Sequence, residues 1–386
     1  MKILHCCLAA FYIDDFSYQE NILPKMHKKQ GHDVAILAST ESYVTHKKLG
    51  YLEPAEYKTR EGIPIKRIPY VKWLPRILVR KLRLYKGVYT FLISCKPDII
   101  FLHDSQFLSI ASIVRYAKKN KDVRIYVDGH ADRTNSARNW VSYHILHKII
   151  YRYCAKLIEP YAKKFYGTLA SRVDFIVDVY GIDANKVELL VMGVDDIVLA
   201  DIKRDEARRT VREQYHLGES DFVIISGGKI NKLKNIHKLV QAVAELGRTN
   251  IKLLLFGSFD EYAQKEISKF DKNTSIINIG WIKSEDVYKY LFASDLAFFP
   301  GTHSVLWEQA VGAGLPAVFK KSKGQEHVDV GGNCKFIVNA DVKEIKRIIL
   351  EICDDKEAMS ELKRNAEEKG AKKFSYFEIA KQAIEM

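Results

Sequence analysis

Short apolar runs rich in β-branched residues alternate along this chain with longer segments whose apolar positions recur at helical spacing. In the first half the pattern predicts strands over 2–9, 33–38, 65–69, 98–103, 124–128 and 187–192. Helical periodicity falls at 18–30, 76–93, 106–119 and 138–157. The second half restarts the same grammar, with strands over 222–227, 251–257, 275–280, 295–300, 316–320 and 335–338. Its helices are expected at 235–247, 260–270, 284–293, 305–314 and 342–370. Between the halves, Asp195 to Gly218 is highly charged with few core signals and reads as a linker. Strand–helix alternation of this kind predicts an α/β protein with parallel sheets, built as two Rossmann-like domains facing across a cleft.

Composition adds bounds rather than a function. The 386 residues allow two or three domains, and 47% hydrophobic with 28% charged residues is ordinary for a soluble globular protein. No apolar run approaches the roughly 20 residues of a spanning helix. Six cysteines without a C-x-x-C pair read as reduced, buried thiols, which implies the cytosol. Cys6 and Cys7 should point to opposite faces of the first strand. The net charge of +13 attracts polyanions, and no acidic residue lies between Glu61 and Asp98. On a helical wheel Arg76, Arg80 and Arg83 share a face opposite Leu78, Leu82, Tyr85 and Tyr89. That face is either a solvated surface or an interfacial one lying on anionic lipid. No aromatic–basic RNA module or zinc spacing supports a nucleic-acid partner.

Two strand–turn–helix passages carry chemistry. Ser226-Gly227-Gly228-Lys229-Ile230-Asn231-Lys232-Leu233-Lys234 follows one apolar run, and His303-Ser304-Val305-Leu306-Trp307-Glu308 follows another. Each aims unpaired backbone N–H groups at one spot, where a diphosphate can sit. Lys229 and Lys234 add full charge, Gly228 allows close approach, and Glu308 can accept sugar hydroxyls.

These residues resemble the retaining glycosyltransferases of family 4 (group 1), which have the GT-B fold. Val191-Met192-Gly193-Val194-Asp195 is similar to the family's "pNGVD" turn. Gly228-Lys229-Ile230 with Lys234 resembles its "GR(L/I)…K" turn, and Asn278-Ile279-Gly280-Trp281-Ile282 its base-holding "flG" strand end. Glu308 to Pro316 matches "EAMAcGlP", and Phe374-Ser375-Tyr376 resembles the "fsw" entry to a last helix that crosses back to the N-terminal domain. The resemblance implies an N-terminal acceptor domain over 1–195, a donor domain over 196–373 and a returning segment over 374–386.

It implies a retaining, metal-independent transferase moving a sugar from a nucleotide-diphosphate sugar, expected to be a UDP-sugar, to a cell-surface glycan or lipid-linked acceptor. Lys229, Lys234 and His130 would be catalytic, each preorganised donor being worth roughly 3–4 kcal/mol. Gly228, Ile282, His303, Ser304, Val305, Leu306 and Glu308 would hold the donor. Asp14, Asp15, Tyr18, Glu20 and His103 would place the acceptor, and Arg76, Arg80 and Arg83 the membrane surface. No cofactor or metal is expected. The protein would be cytoplasmic, peripheral on the inner face of the membrane.

The sequence departs from the family in one place: the first of its two glutamates is missing, with Pro300 eight positions before Glu308, in a loop about four residues short. His303 or Ser304 would substitute. A UDP-sugar 2-epimerase of the same fold, needing acidic residues and a second histidine set, is one alternative. An inactive nucleotide- or polyanion-binding protein is the other.

Overall fold

The computed structural model describes residues 1–45 and 48–386. By internal packing the chain divides into two units, Met1–Val191 with Ile379–Met386, and Met192–Glu378.

The first unit contains β1 (Lys2–Cys7), β2 (Asp33–Ser39), β3 (Glu41–Thr45), β4 (Lys48–Tyr51), β5 (Glu56–Lys58), β6 (Pro64–Ile68), β7 (Ile99–His103), β8 (Arg124–Gly129), β9 (Ala162–Gly167) and β10 (Val187–Leu189). Eight of them form one sheet in the order β10-β9-β8-β7-β1-β2-β6-β5, parallel except for β5 against β6. The order reverses direction between β1 and β7, so the crevice beyond their C-terminal ends is this sheet's switch point. Leu4 and Cys6 enter one core and Cys7 the other, as strand alternation requires. All six cysteines are free, five of them buried.

Helix α1 spans Gln19–Lys29. The helix expected over 76–93 is two helices, α2 (Arg76–Leu82) and α3 (Val88–Cys95). Arg83 ends α2 in a left-handed conformation, φ 51°, and Tyr85 then bridges to Tyr70. The break overturns the wheel: Val79 is the buried residue of α2, while Ile77 and Leu78 are exposed. Arg80 reaches back to the buried Glu41 at 2.8 Å, and Arg83 donates to the Gln106 carbonyl at 3.0 Å. Arg83 is therefore no part of a lipid-facing surface, and Arg80 is already paired. Strand β9 and helix Ala170–Asp178 were not foreseen.

The second unit has β11 (Phe222–Ile230), β12 (Ile251–Phe259), β13 (Ile276–Gly280), β14 (Leu296–Phe299), β15 (Ala317–Lys320) and β16 (Cys334–Ile337). Their order, β13-β12-β11-β14-β15-β16, is parallel throughout, with its switch point between β11 and β14. Both chemistry-bearing passages leave the sheet there. Three motif pieces meet elsewhere in this unit: the Val194 N–H donates to the Phe374 carbonyl at 2.7 Å, and a Cβ on Gly312 would lie 2.5 Å from Val194.

The stretch read as a linker is structured. Helices Asp196–Asp201 and Arg204–Gln214 fill it, and the second buries Arg212. That guanidinium donates to the carbonyls of Ala293, Gly218 and Asp221 and to Asp295 at 2.8 Å. Few apolar residues were needed because one arginine closes the packing with hydrogen bonds. Replacing it removes a donor from three carbonyls and from Asp295, which keeps Arg208 and the Val223 N–H, so Arg212→Ala is expected to cost about 1–3 kcal/mol. Urea unfolding should show an earlier midpoint, and Arg212→Lys should recover only part, since an ammonium lacks the planar fork.

Candidate functional site

At the switch point of the second unit, the turn after β11 and the loop after β14 lie against one another. Gly228 has φ 104°, and a Cβ there would come within 3.0 Å of Leu306. A Cβ on Gly301 would fall 2.3 Å from the Lys234 backbone, so the loop rests directly on the 3-10 turn Lys232–Lys234. Asn231 caps that turn by accepting the Leu233 N–H at 3.0 Å. Asn235 donates to the Pro300 carbonyl at 3.1 Å. Lys234 Nζ donates to the carbonyls of Thr302 and His303 at 2.7 and 2.9 Å. Burial lowers this ammonium's pKa to about 8. Lys229, near the end of β11, is exposed. Ser304 and Val305 are half-buried, and Leu306 begins the helix Leu306–Gly312. Ile282 follows β13, which β12 separates from β11.

Glu308 is fully buried. Its Oε1 accepts from His303 Nε2 at 2.7 Å and from His327 Nε2 at 2.8 Å. Burial alone would raise this carboxyl, but the His303 charge and the two imidazole hydrogen bonds outweigh it and hold the pKa at about 2. Oε2 has no hydrogen-bond partner among the described residues. The carboxylate thus keeps one acceptor oxygen open. His327 was not foreseen; it arrives from a loop after β15, and nothing in its local sequence sets it apart.

Beside the switch point of the first unit, near the end of β8, lies a second buried carboxylate, with both of its oxygens engaged. Asp128 Oδ2 accepts from His103 Nδ1 at 2.9 Å, and Oδ1 accepts the Asp104 N–H at 3.1 Å. His130 Nε2 lies 3.4 Å from Oδ1, with its side chain 26% exposed. Burial opposes ionisation of Asp128, but His130 and His103 hold its carboxyl far below the usual range. Burial lowers His130, and Asp128 more than restores it, so the imidazole sits above its ordinary value. Asp104 is pushed up by burial to about 6, against the pull of His130 and Arg83.

His103 is wholly buried, so it touches Asp128 and not an acceptor. Asp14 is likewise committed. It accepts from the buried Arg67 at 3.0 Å and from Tyr57 at 2.8 Å. Asp15, with φ 61°, pairs with Arg60 at 3.1 Å. Tyr18, half exposed, is the N-cap of α1, and Glu20 lies in its first turn.

Two clusters, His103/Asp128/His130 and His303/Glu308/His327, bring donors of the kind that cations take within 4.8 Å of one another. In the first, both His103 nitrogens are already in hydrogen bonds, leaving no lone pair for an ion.

Residues 207–369 match the family model described as glycosyl transferases group 1. No curated protein matches the chain. Among solved structures, Anabaena HepE in complex with UDP is similar at 16% identity and TM-score 0.69, covering 100% of this chain and 99% of that one. Sucrose-phosphate synthase from Thermosynechococcus elongatus is similar at 14% identity and TM-score 0.67, with 99% and 96% covered. A protein titled putative UDP-N-acetylglucosamine 2-epimerase, from Listeria monocytogenes, gives 13% and 0.61, with 99% and 94% covered. At these identities the likeness is one of fold: two Rossmann-like domains of the GT-B type.

Because Lys234 loses its charge near pH 8, affinity for a nucleoside diphosphate should fall as pH rises from 7 to 9.5. Calorimetric titration with UDP would measure it. Lys234→Arg keeps its cation throughout that range and should flatten the profile.

Proposed function

We propose that this chain, a glycosyltransferase by its group 1 domain, moves a sugar from a UDP-sugar to a membrane-held glycan or lipid-linked acceptor, with retention and without a metal. The observation that carries the reading is the cradle between β11 and β14. There a low-pKa lysine is fixed by two carbonyls beside a buried carboxylate with one open oxygen. Anabaena HepE, of the same fold, has been solved with UDP and with UDP-glucose, which supports UDP as the nucleotide.

In this reading Lys229 and Lys234 neutralise the diphosphate as it leaves, in place of a divalent cation. Gly228 lets the phosphates approach the strand end, with the backbone at Val305 and Leu306 on the other side. Glu308 Oε2 accepts a ribose hydroxyl, Ile282 borders the base, and Ser304 takes the sugar side where the family has its first glutamate. His130 is the first unit's candidate for a catalytic role; Asp15, Tyr18 and Glu20 orient the acceptor. Asp14 acts through Arg67, and His103 through Asp128. The sugar–phosphate bond breaks while the acceptor oxygen bonds to the same face of the anomeric carbon. The acceptor's proton passes to the departing phosphate oxygen, so no protein nucleophile is required.

A membrane-held acceptor is supported by an apolar surface on the first unit. Trp73 and Ile77 are 74% and 77% exposed, and Val141, Ile145, Ile149 and Tyr153 recur at helical spacing on a neighbouring segment. The Tyr151 hydroxyl donates to the Lys81 carbonyl at 2.8 Å, joining the two stretches, and Lys72, Arg76 and Lys148 add positive charge. No helix among the described residues is long and apolar enough to cross a membrane. The protein would therefore act peripherally, on the cytoplasmic face. A UDP-sugar 2-epimerase is the second reading, favoured by the two histidine–carboxylate clusters. It would release an epimerised sugar without any acceptor.

Lys229→Ala and Lys234→Ala should each cut UDP release by at least tenfold with folding intact, equally with EDTA present. Near-normal turnover in both would remove the diphosphate assignment. Ile77→Glu together with Ile149→Glu should abolish sedimentation with phosphatidylglycerol vesicles. Absence of vesicle binding by the parent protein would remove the membrane reading.

A further inference from the structure

Beneath the first site runs a line of imidazoles that the proposed reaction does not use. His27 Nε2 lies 2.8 Å from the Ala380 carbonyl, and His27 Nδ1 is 3.0 Å from His5 Nε2. His5 Nδ1 is 3.0 Å from His103 Nε2, and His103 Nδ1 is 2.9 Å from Asp128 Oδ2. All three rings are fully buried. They come from three elements, β1, α1 and β7, so no local turn geometry imposes the line.

The ends of the line fix its proton count. A carbonyl oxygen at one end and a carboxylate at the other both only accept. Four hydrogen bonds therefore need four N–H groups, while three neutral imidazoles supply three. The fourth proton belongs on Asp128 or on an imidazole. Asp128 Oδ1 accepts the Asp104 N–H and faces His130, both of which favour the ionised carboxylate. One of the three rings is then an imidazolium, held by the hydrogen-bond count against burial that lowers His5 and His27. Moreover, the cation can sit on His103, His5 or His27 with all four hydrogen bonds intact. Each move is one proton passing along one N–H···N contact, over ring separations of 5.3 and 5.1 Å.

We propose that His27, His5 and His103 share a single proton and act as a charge relay behind Asp128, positioning residues that let His130 gain and lose its own proton. With His130 neutral, the shared charge lies on His103, against Asp128. When His130 takes a proton, Asp128 becomes its counter-ion, and the shared charge recedes toward His27 without any bond breaking. The proposal rests on the reading of His130 as a working group of the glycosyltransferase. The other charges felt by His130 are Glu20 on α1, Arg172 on the helix after β9, and Asp104 after β7. His32 couples to His27 at the far end.

Glutamine at position 5 separates relay from scaffold. Its amide N–H can donate to His27 Nδ1 and its carbonyl can accept from His103 Nε2, so every hydrogen bond survives. It cannot pass a proton on, however, and in that orientation it keeps the cation on His103. His5→Gln should keep the unfolding midpoint close to that of the parent and lower the proton affinity of His130 by about tenfold. His27→Gln, which leaves one hop, should lower it less. Nitrogen-15 NMR of the imidazoles in the full chain reads both quantities. Expected are one imidazolium shared among His5, His27 and His103 at neutral pH, and a graded fall of the His130 midpoint in the two variants. Three neutral rings, or an unmoved His130 midpoint in a folded His5→Gln protein, would overturn the relay. Neither readout needs turnover, so failure of the glycosyl-transfer reading would show separately, as absence of UDP release.

Discussion

A carboxylate taken out of water must be neutralised by donors the fold can bring to it, and this protein meets that constraint twice with imidazole rather than lysine or arginine. Asp128 is spanned by His103 and His130, and Glu308 by His303 and His327. Asp128 lies near the end of β8, next to the β1–β7 switch point, and Glu308 in the helix that follows β14 at the β11–β14 switch point. Histidine suits this place. It neutralises a carboxylate when charged, still donates when neutral, and changes between the two near physiological pH. A lysine or arginine would fix the charge permanently.

Much of this was legible in the residues, and what was not has a physical reason. Apart from β9, whose Ala162-Lys163-Lys164 start is not apolar, the parallel strands stand near their expected positions because runs buried on both faces must be continuously apolar. Glu308 and the Lys229–Lys234 turn were readable because strand, small residue and helix follow one another locally. His327 and His5 were not, since their partners are joined by folding alone. In Leu4-His5-Cys6 the histidine lies inside the first predicted strand with nothing local to mark it, yet it is the middle of a buried hydrogen-bonded line.

Two misreadings share one cause, a charged side chain doing interior work. Asp195 to Gly218 reads as a linker when its charge is taken for solvation, whereas Arg212 is buried against three carbonyls and Asp295. The wheel over 76–93 placed Arg83 on a surface, yet this residue stops the helix in a left-handed turn and points its guanidinium at Gln106. Periodicity assigns faces well when burial follows hydrophobicity. It fails where an arginine satisfies orphaned carbonyls more effectively than an apolar residue could.

The shortened loop after β14 is where these constraints meet. His303 serves twice: its carbonyl holds Lys234 Nζ, and its ring holds Glu308 Oε1. One residue is thus tied to both the buried ammonium and the buried carboxylate. Any shift of the loop would alter the dehydration of Lys234, and so its charge near pH 8, together with the orientation of the open oxygen of Glu308. The ammonium and the carboxylate are therefore positioned by one backbone segment, so that neither can be moved without the other.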